Sequence, residues 1–170
     1  MVAPTCAFQT ERLAVADWHV LPPDALSAFV MALLTPATTA PLPPAWHGAY
    51  DDARAQRWIA ERDSEGTVLL AMEAGSPVGL LLLFEESDPE GRSLLRVGYL
   101  IAEAAAGRGL GTELLAGLVA WSRGQPTVRA LIGGVEPGNA ASIRILEKCG
   151  FRLDTTTGSA ALELEYRLDL

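Results

Sequence analysis

Cysteine is scarce: Cys6 and Cys149 are the two thiols in 170 residues. Far apart in the chain, they form neither a disulfide framework nor the paired spacing of a zinc site. The reading is a reduced, metal-free protein in which Cys149 fills the apolar face of a helix. Long hydrophobic runs are lacking too. The longest, Val78 to Phe84, is interrupted by Gly79 and is much shorter than the roughly 20 residues that cross a bilayer. The opening MVAPTCAFQTERL shows no apolar core of a secretory signal, so a cytoplasmic location without membrane attachment is expected. Basic residues are outnumbered, 13 Lys and Arg against 21 Asp and Glu, for a net charge of −8. A broad nucleic-acid surface needs clustered cations and is excluded on that ground. An acidic surface instead draws cationic partners such as amines.

The remaining composition is ordinary for a globular chain, 49% apolar and 20% charged, and the length suits a single domain, placed at residues 8–170. Residues 8–16 read as a first strand. Asp24 is placed to cap a helix with Leu26, Phe29, Val30, Leu33 and Leu34 at helical spacing. Residues 35–48, rich in Pro and Thr, read as an extended surface loop. A second helix starts at Asp51 or Asp52 and ends before Gly66, with Trp58 and Ile59 inward. From Thr67 the period changes to that of strands: 67–75, 77–87 and 93–102, separated by turns at Gly75-Ser76 and at residues 88–91. A helix beginning near Leu110 carries an apolar stripe and stops at Gly124 and Pro126. A strand over 127–135, a helix capped by Asn139 and closed by Gly150, and a hairpin turning at Gly158-Ser159 complete the chain. Several strands are continuously apolar, which predicts helices on both faces of the sheet. The fold class is α+β, a mixed, mostly antiparallel sheet flanked by helices.

The chemistry-bearing stretch is AGRGLGT, residues 106–112, between a strand and a helix. A helix start offers unpaired N–H groups and the positive end of the dipole. Gly107, Gly109 and Gly111 admit a bulky anion to the backbone, Arg108 adds charge and Thr112 a hydroxyl. A phosphate or pyrophosphate site follows; a tight turn without ligand is the plain alternative. The Walker Gly-Lys-Ser/Thr is missing, and the spacing is Gly-x-Gly-x-Gly rather than the dinucleotide Gly-x-Gly-x-x-Gly.

AGRGLG resembles the phosphate loop of the GNAT superfamily of acyl-CoA N-acyltransferases, with Ala106 departing where that pattern has Gln or Arg. VEPGNAASIRILEKCGF, residues 135–151, resembles the later motif of strand, Asn, helix and Gly-Phe. TERLAV, residues 10–15, resembles the opening strand of the ribosomal-protein alanine N-acetyltransferase branch. The resemblance implies acetyl-CoA as co-substrate with no metal. It implies an acceptor that is an amine-bearing small molecule or a protein N-terminus, and it allows a homodimer. It also implies that the strands beside the loop splay, so that Tyr99, Leu100 and Ile101 present backbone to the pantetheine arm. Gly98 then marks a bulge or simple tight packing.

The reaction so implied is direct attack of a neutral amine on the thioester in a ternary complex, needing an oxyanion donor, a base and an acid. By analogy the Leu100 N–H is the oxyanion donor. The base is less clear, because Gly133 and Gly134 stand where many members carry Glu, and Arg96 stands where the ribosomal branch often does. Among Glu85, Glu86, Glu103 and Glu136, each first read as a surface charge, Glu136 lies closest to the expected splay; a water chain is the other choice. An α-amino group, with pKa about 7.7–8.0 against about 10.4 for lysine, needs less help. Leu146 replaces the frequent Tyr acid, and Ser142 is the acid of the ribosomal branch, or else a first-turn serine bonding backbone. Asn139 caps its helix, contacts CoA, or does both. The acceptor pocket is expected under residues 35–58, with Trp46, His47 and Tyr50 placed to line it. Loss of the Glu and Tyr leaves a non-catalytic acyl-CoA-binding domain as the alternative function.

Overall fold

A computed structural model describes residues 5–156 and 163–170. The elements follow as β1 (Phe8–Gln9), β2 (Leu13–Asp17), α1 (Pro23–Leu33), α2 (Pro36–Thr39), α3 (Asp52–Glu65), β3 (Thr67–Glu73), β4 (Ser76–Ser87), β5 (Ser93–Ile101), α4 (Leu110–Arg123), β6 (Val128–Val135), α5 (Ala140–Lys148), β7 (Arg152–Leu153) and β8 (Leu164–Asp169). Among the described residues they form one sheet in the order β1-β2-β3-β4-β5-β6-β8-β7. Every pairing is antiparallel except β5 with β6. That is the expected α+β class. The turn placed at Gly158-Ser159 lies outside the described residues.

Alternation along the strands divides the core. Leu69, Leu81, Leu83, Val97 and Leu131 face α4 and α5, against Leu114, Leu115 and Leu118. Leu70, Leu80, Leu82 and Leu100 face α1 and α3, against Trp18, Val30 and Trp58. Apolar side chains on both faces are what the period of two demands of a sheet covered twice.

Three local expectations change. The strand over 8–16 is broken: Leu13 N–H donates to the Thr10 hydroxyl and Thr10 N–H to the Leu13 carbonyl. This turn folds Phe8 back opposite Val15. Asp24 is not the cap of α1; Pro22 holds that position, with Pro23 first in the helix, where its absent N–H removes nothing. Residues 35–48 are not continuous loop. Thr35 and Thr38 exchange backbone-to-hydroxyl hydrogen bonds at the start of α2, and a 3-10 turn spans Pro44–Trp46. The Thr-Pro-x-Thr signal for a capped start is in the sequence, hidden by its Pro-rich surroundings.

Gly66 closes α3 in extended conformation, and a Cβ there would lie 2.2 Å from the Leu83 carbonyl oxygen. Backbone cannot yield as a side chain tip can. Gly66→Ala is expected to destabilise the protein by about 1–3 kcal/mol, read as a lower urea midpoint at unchanged slope.

Candidate active site

The site begins where the sheet opens. Parallel pairing of β5 with β6 ends at Val97 opposite Gly133, while β5 stays paired with β4 through Ile101. The β4–β5 register is unbroken at Gly98, and a Cβ there would meet Leu82 at an ordinary 3.8 Å. Gly98 is therefore neither a bulge nor a close contact. On the β6 side, α5 presses on the strand: a Cβ on Gly133 would come within 2.8 Å of Leu146. Leu146 is 3% exposed and belongs to the core.

The ladder decides which amides face the opening. Asp88 N–H donates to the Arg92 carbonyl and Ala102 N–H to the Val78 carbonyl, each at 2.9 Å. With continuous register between them, Leu80 and Leu100 form a hydrogen-bonded pair, because such pairs recur every second residue. The Leu100 N–H is thus spent on β4, which overturns its assignment as oxyanion donor. Tyr99 and Ile101 turn their amides to the unpaired edge instead.

Two cavities flank this edge. A groove of about 530 Å³ is lined by Tyr99, Leu100 and Ile101, by Gly107, Gly109, Gly111 and Thr112, and by Asn139, Ser142, Arg144 and Lys148 on the opposite wall. A recess of about 110 Å³ lies beyond it, lined by Gly98, Gly134, Glu136, Leu146 and Glu163 among others. Pro41, Leu42, Tyr99, Asn139 and Ser142 line both and so mark their junction.

At the loop side of the groove, Gly107 and Gly109 have φ of 75° and 79°, the left-handed region that favours glycine. Gly109 caps α4 without a side-chain bond, so first-turn amides are left for an anion. Gly111 serves packing: a Cβ would stand 3.2 Å from Ile145. The loop is braced from outside. Glu113 accepts from the Thr10 hydroxyl at 2.6 Å and from the Arg12 amide and Nε at 2.7 Å each, while Arg12 Nη1 donates to the Arg108 carbonyl at 2.9 Å.

Arg108 itself is engaged elsewhere. Its guanidinium forms a two-pronged pair with Glu73, at 2.7 and 2.6 Å, and this bond holds the Glu73 carboxyl below the usual range. The cations lining the groove are Arg144 and Lys148, one turn apart on α5 and without an ion pair among the described residues. Sequence reasoning passed over them, although their spacing of four places both on one helix face.

At the junction, the Asn139 side chain accepts from Ser142 N–H at 3.2 Å, so Asn139 is the helix cap. The Ser142 side chain makes no hydrogen bond to backbone among the described residues. The Tyr99 hydroxyl is buried without a hydrogen-bond partner. Burial pushes the phenol pKa up, and nearby Ser142 pulls against that shift, though the pair does not meet hydrogen-bond geometry. Cys149 is confined: its thiol donates to the Thr112 carbonyl at 3.6 Å, and burial raises its pKa. Of the other carboxylates, Glu86 pairs with Arg96 at 2.6 Å and Glu103 with the Thr35 hydroxyl. Glu85 lines a separate cavity at the far end of the sheet.

The expected acceptor lining is only partly met. Pro41 and Leu42 line the junction, with Ala37 and Thr38 on the groove and Pro43 on the recess, but Trp46 stacks edge-on against Trp58 at 5.2 Å. The Tyr50 hydroxyl donates to the Trp46 carbonyl, and exposed His47 contacts the Leu42 carbonyl. None of the three lines either cavity. Among the described residues no helix is long and apolar enough to cross a membrane, and no cluster of three potential metal ligands occurs.

Residues 21–152 match the family model of the acetyltransferase (GNAT) domain. The L-methionine sulfoximine/L-methionine sulfone acetyltransferases of Pseudomonas aeruginosa and Pseudomonas paraeruginosa are each 30% identical over 123 residues, 71% of either chain. Among solved structures, a ribosomal L7/L12 α-N-protein acetyltransferase in complex with coenzyme A superposes with a TM-score of 0.76 at 12% identity, covering 97% of this chain and 98% of that one. An aminoglycoside 6′-acetyltransferase with coenzyme A and kanamycin gives 0.73 at 20% identity, covering 92% and 94%. The chain belongs to the GNAT family and is an acetyltransferase.

Glu113→Ala removes the brace on the loop. The expected cost is about 1–3 kcal/mol, with faster hydrogen exchange at the first bonded amides of α4, those of residues 113–115. Although desolvation alone would raise it, bonds from Thr10 and Arg12 hold the Glu113 pKa below normal. The brace is therefore fully present above the ordinary glutamate pKa of about 4.3 and is lost as pH falls through the lower folded value. In wild type, the same amides should lose protection on acidification.

Proposed function

We propose that the protein transfers the acetyl group of acetyl-CoA to a primary amine by direct attack in a ternary complex. The observation that carries this reading is the continuous cleft, in which an uncapped helix start and two unpaired cations lead along an open strand edge to a recess containing carboxylates. The residues suit CoA: amides at the start of α4, beside Gly107, Gly109, Gly111 and Thr112, take the diphosphate. Arg144 and Lys148 supply the countercharge first assigned to Arg108. Free backbone of Tyr99 and Ile101 bonds the pantetheine arm, while Leu100 contributes its side chain to the other face of the sheet.

The thioester then lies at the junction. The amine enters from the recess as an ammonium ion and gives a proton to solvent through Glu136. The neutral nitrogen attacks the carbonyl carbon; the C–N bond forms and the carbonyl π electrons move to oxygen, which accepts a hydrogen bond from the Tyr99 N–H. As the carbonyl re-forms, the C–S bond breaks and the thiolate takes a proton from Ser142, with the Tyr99 phenol behind it. The second amine proton passes through water to Ser142, which regains the proton it gave, so one proton in all is released to solvent.

The amine is a small molecule or a protein N-terminus. The curated relatives act on amino-acid analogues and the structural neighbours on aminoglycosides and a ribosomal protein, so the relatives alone do not select one.

With acetyl-CoA and an amine panel, amine-dependent thiol release is expected; CoA binding without turnover on any amine would reject catalysis. Arg144→Ala with Lys148→Ala should weaken acetyl-CoA binding about tenfold, two exposed charge contacts at up to about 1 kcal/mol each. Arg108→Ala should change it less than about twofold. Gly109→Glu should abolish binding. Ser142→Ala should lower kcat on the order of 100-fold with little change in the KM for acetyl-CoA; full activity would remove Ser142 from the mechanism.

A further inference from the structure

The acceptor recess has a charge pattern that narrows the substrate. Glu136 enters it from the turn before α5 and Glu163 from the residue before β8. Glu163 was not among the candidates read from sequence. It immediately precedes the strand paired with β6, and it lies down on β6 because Gly134 has no side chain: a Cβ on Gly134 would stand 2.9 Å from Glu163 Oε2. The glycine that removes one expected carboxylate from the strand thus admits another from its neighbour.

Neither Glu136 nor Glu163 has a hydrogen bond or ion pair among the described residues. The neighbouring carboxylates are occupied: Glu165 receives Arg96 at 3.0 Å, and Glu86 takes the same guanidinium at 2.6 Å. Among the described residues no Lys, Arg or His lines the recess. Residues 157–162, which precede Glu163, contain none either. The free cations Arg144 and Lys148 line the groove and are absent from the recess. A carboxylate on the acceptor would therefore meet two like charges and no counter-ion, whereas a second ammonium would find a partner.

Resting on the acetyltransferase reading, we infer that the acceptor is a small diamine or polyamine without a carboxylate, whose second ammonium is held by Glu163. Glu163 is a specificity-determining residue; the proton transfers remain those described above.

Three matched probes test this: 1,4-diaminobutane, L-ornithine (the same diamine bearing a carboxylate) and butylamine, which has a single ammonium. An Ala-initiated peptide is the fourth arm. Acetylation is followed by thiol release, and amine binding to the CoA-saturated protein by calorimetry. The diamine should exceed L-ornithine and butylamine in kcat/KM by about tenfold, an advantage that shrinks with salt. Glu163→Gln should cut the diamine's kcat/KM about fivefold, the size of a partly exposed ion pair, chiefly through KM. Butylamine turnover and acetyl-CoA affinity should not change. Glu163→Lys should reverse the preference toward L-ornithine. Equal use of L-ornithine, preference for the peptide, or a diamine KM indifferent to Glu163→Gln would overturn the inference. If CoA binds and no amine turns over, catalysis is rejected and binding alone reads the recess: diamine above L-ornithine sustains its charge preference, and equal or no binding overturns it. Failure of CoA itself to bind the wild-type protein would instead sink the acetyltransferase reading.

Discussion

The active site depends on one incomplete pairing. β5 and β6 run parallel and separate after Val97 and Gly133, while β5 remains in its ladder with β4 through Ile101. A strand bonded on one side only keeps its shape and still exposes polar backbone on the other. Everything at the cleft is arranged around that edge. The start of α4 lies at one end and the acceptor recess at the other, with the junction of Tyr99, Asn139 and Ser142 between. Separation is maintained by packing on the helical side, where Leu146 sits against Gly133 and Ile145 against Gly111.

Charge is distributed along the cleft in a way that net charge conceals. The protein is acidic by eight charges, yet the groove carries Arg144 and Lys148, with Glu103 bonded to Thr35, while the recess carries Glu136 and Glu163. Other cations nearby are neutralised in place, Arg108 by Glu73 and Arg96 by Glu86 and Glu165. The sign of the unpaired charge thus changes between groove and recess through local contacts, which the net charge does not reveal.

Much of this was legible in the sequence, and the limits have physical causes. Strand period, apolar helix stripes, the Gly-rich loop and the Asn139 cap are local signals, and each stands where it was read. Arg108 reads as a free cation because a sequence shows charge but not partner: Glu73, 35 residues away, becomes its neighbour only when β3 lies beside the loop. Leu100 was misassigned because hydrogen-bond parity belongs to a pair of strands and not to one. Glu163 was missed because its importance comes from Gly134 across a ladder, a relation that exists only after β8 inserts between β6 and β7. Trp46 and Tyr50 were drawn toward the pocket by proximity in the chain, but the aromatic cluster around Trp58 holds them.

The alternation along β5 has one more implication. Tyr99 turns its side chain to the α4 and α5 face and its amide to the open edge, while Leu100 does the reverse, burying its side chain under α1 and α3. Sliding the strand by one residue would put apolar groups on the wrong layer and exchange the amides at the cleft in the same motion. The core therefore acts as a proofreader for the catalytic edge: any misregistered conformer that presents the wrong amides also forfeits its packing, so an inactive but stable slipped form is not accessible to this chain.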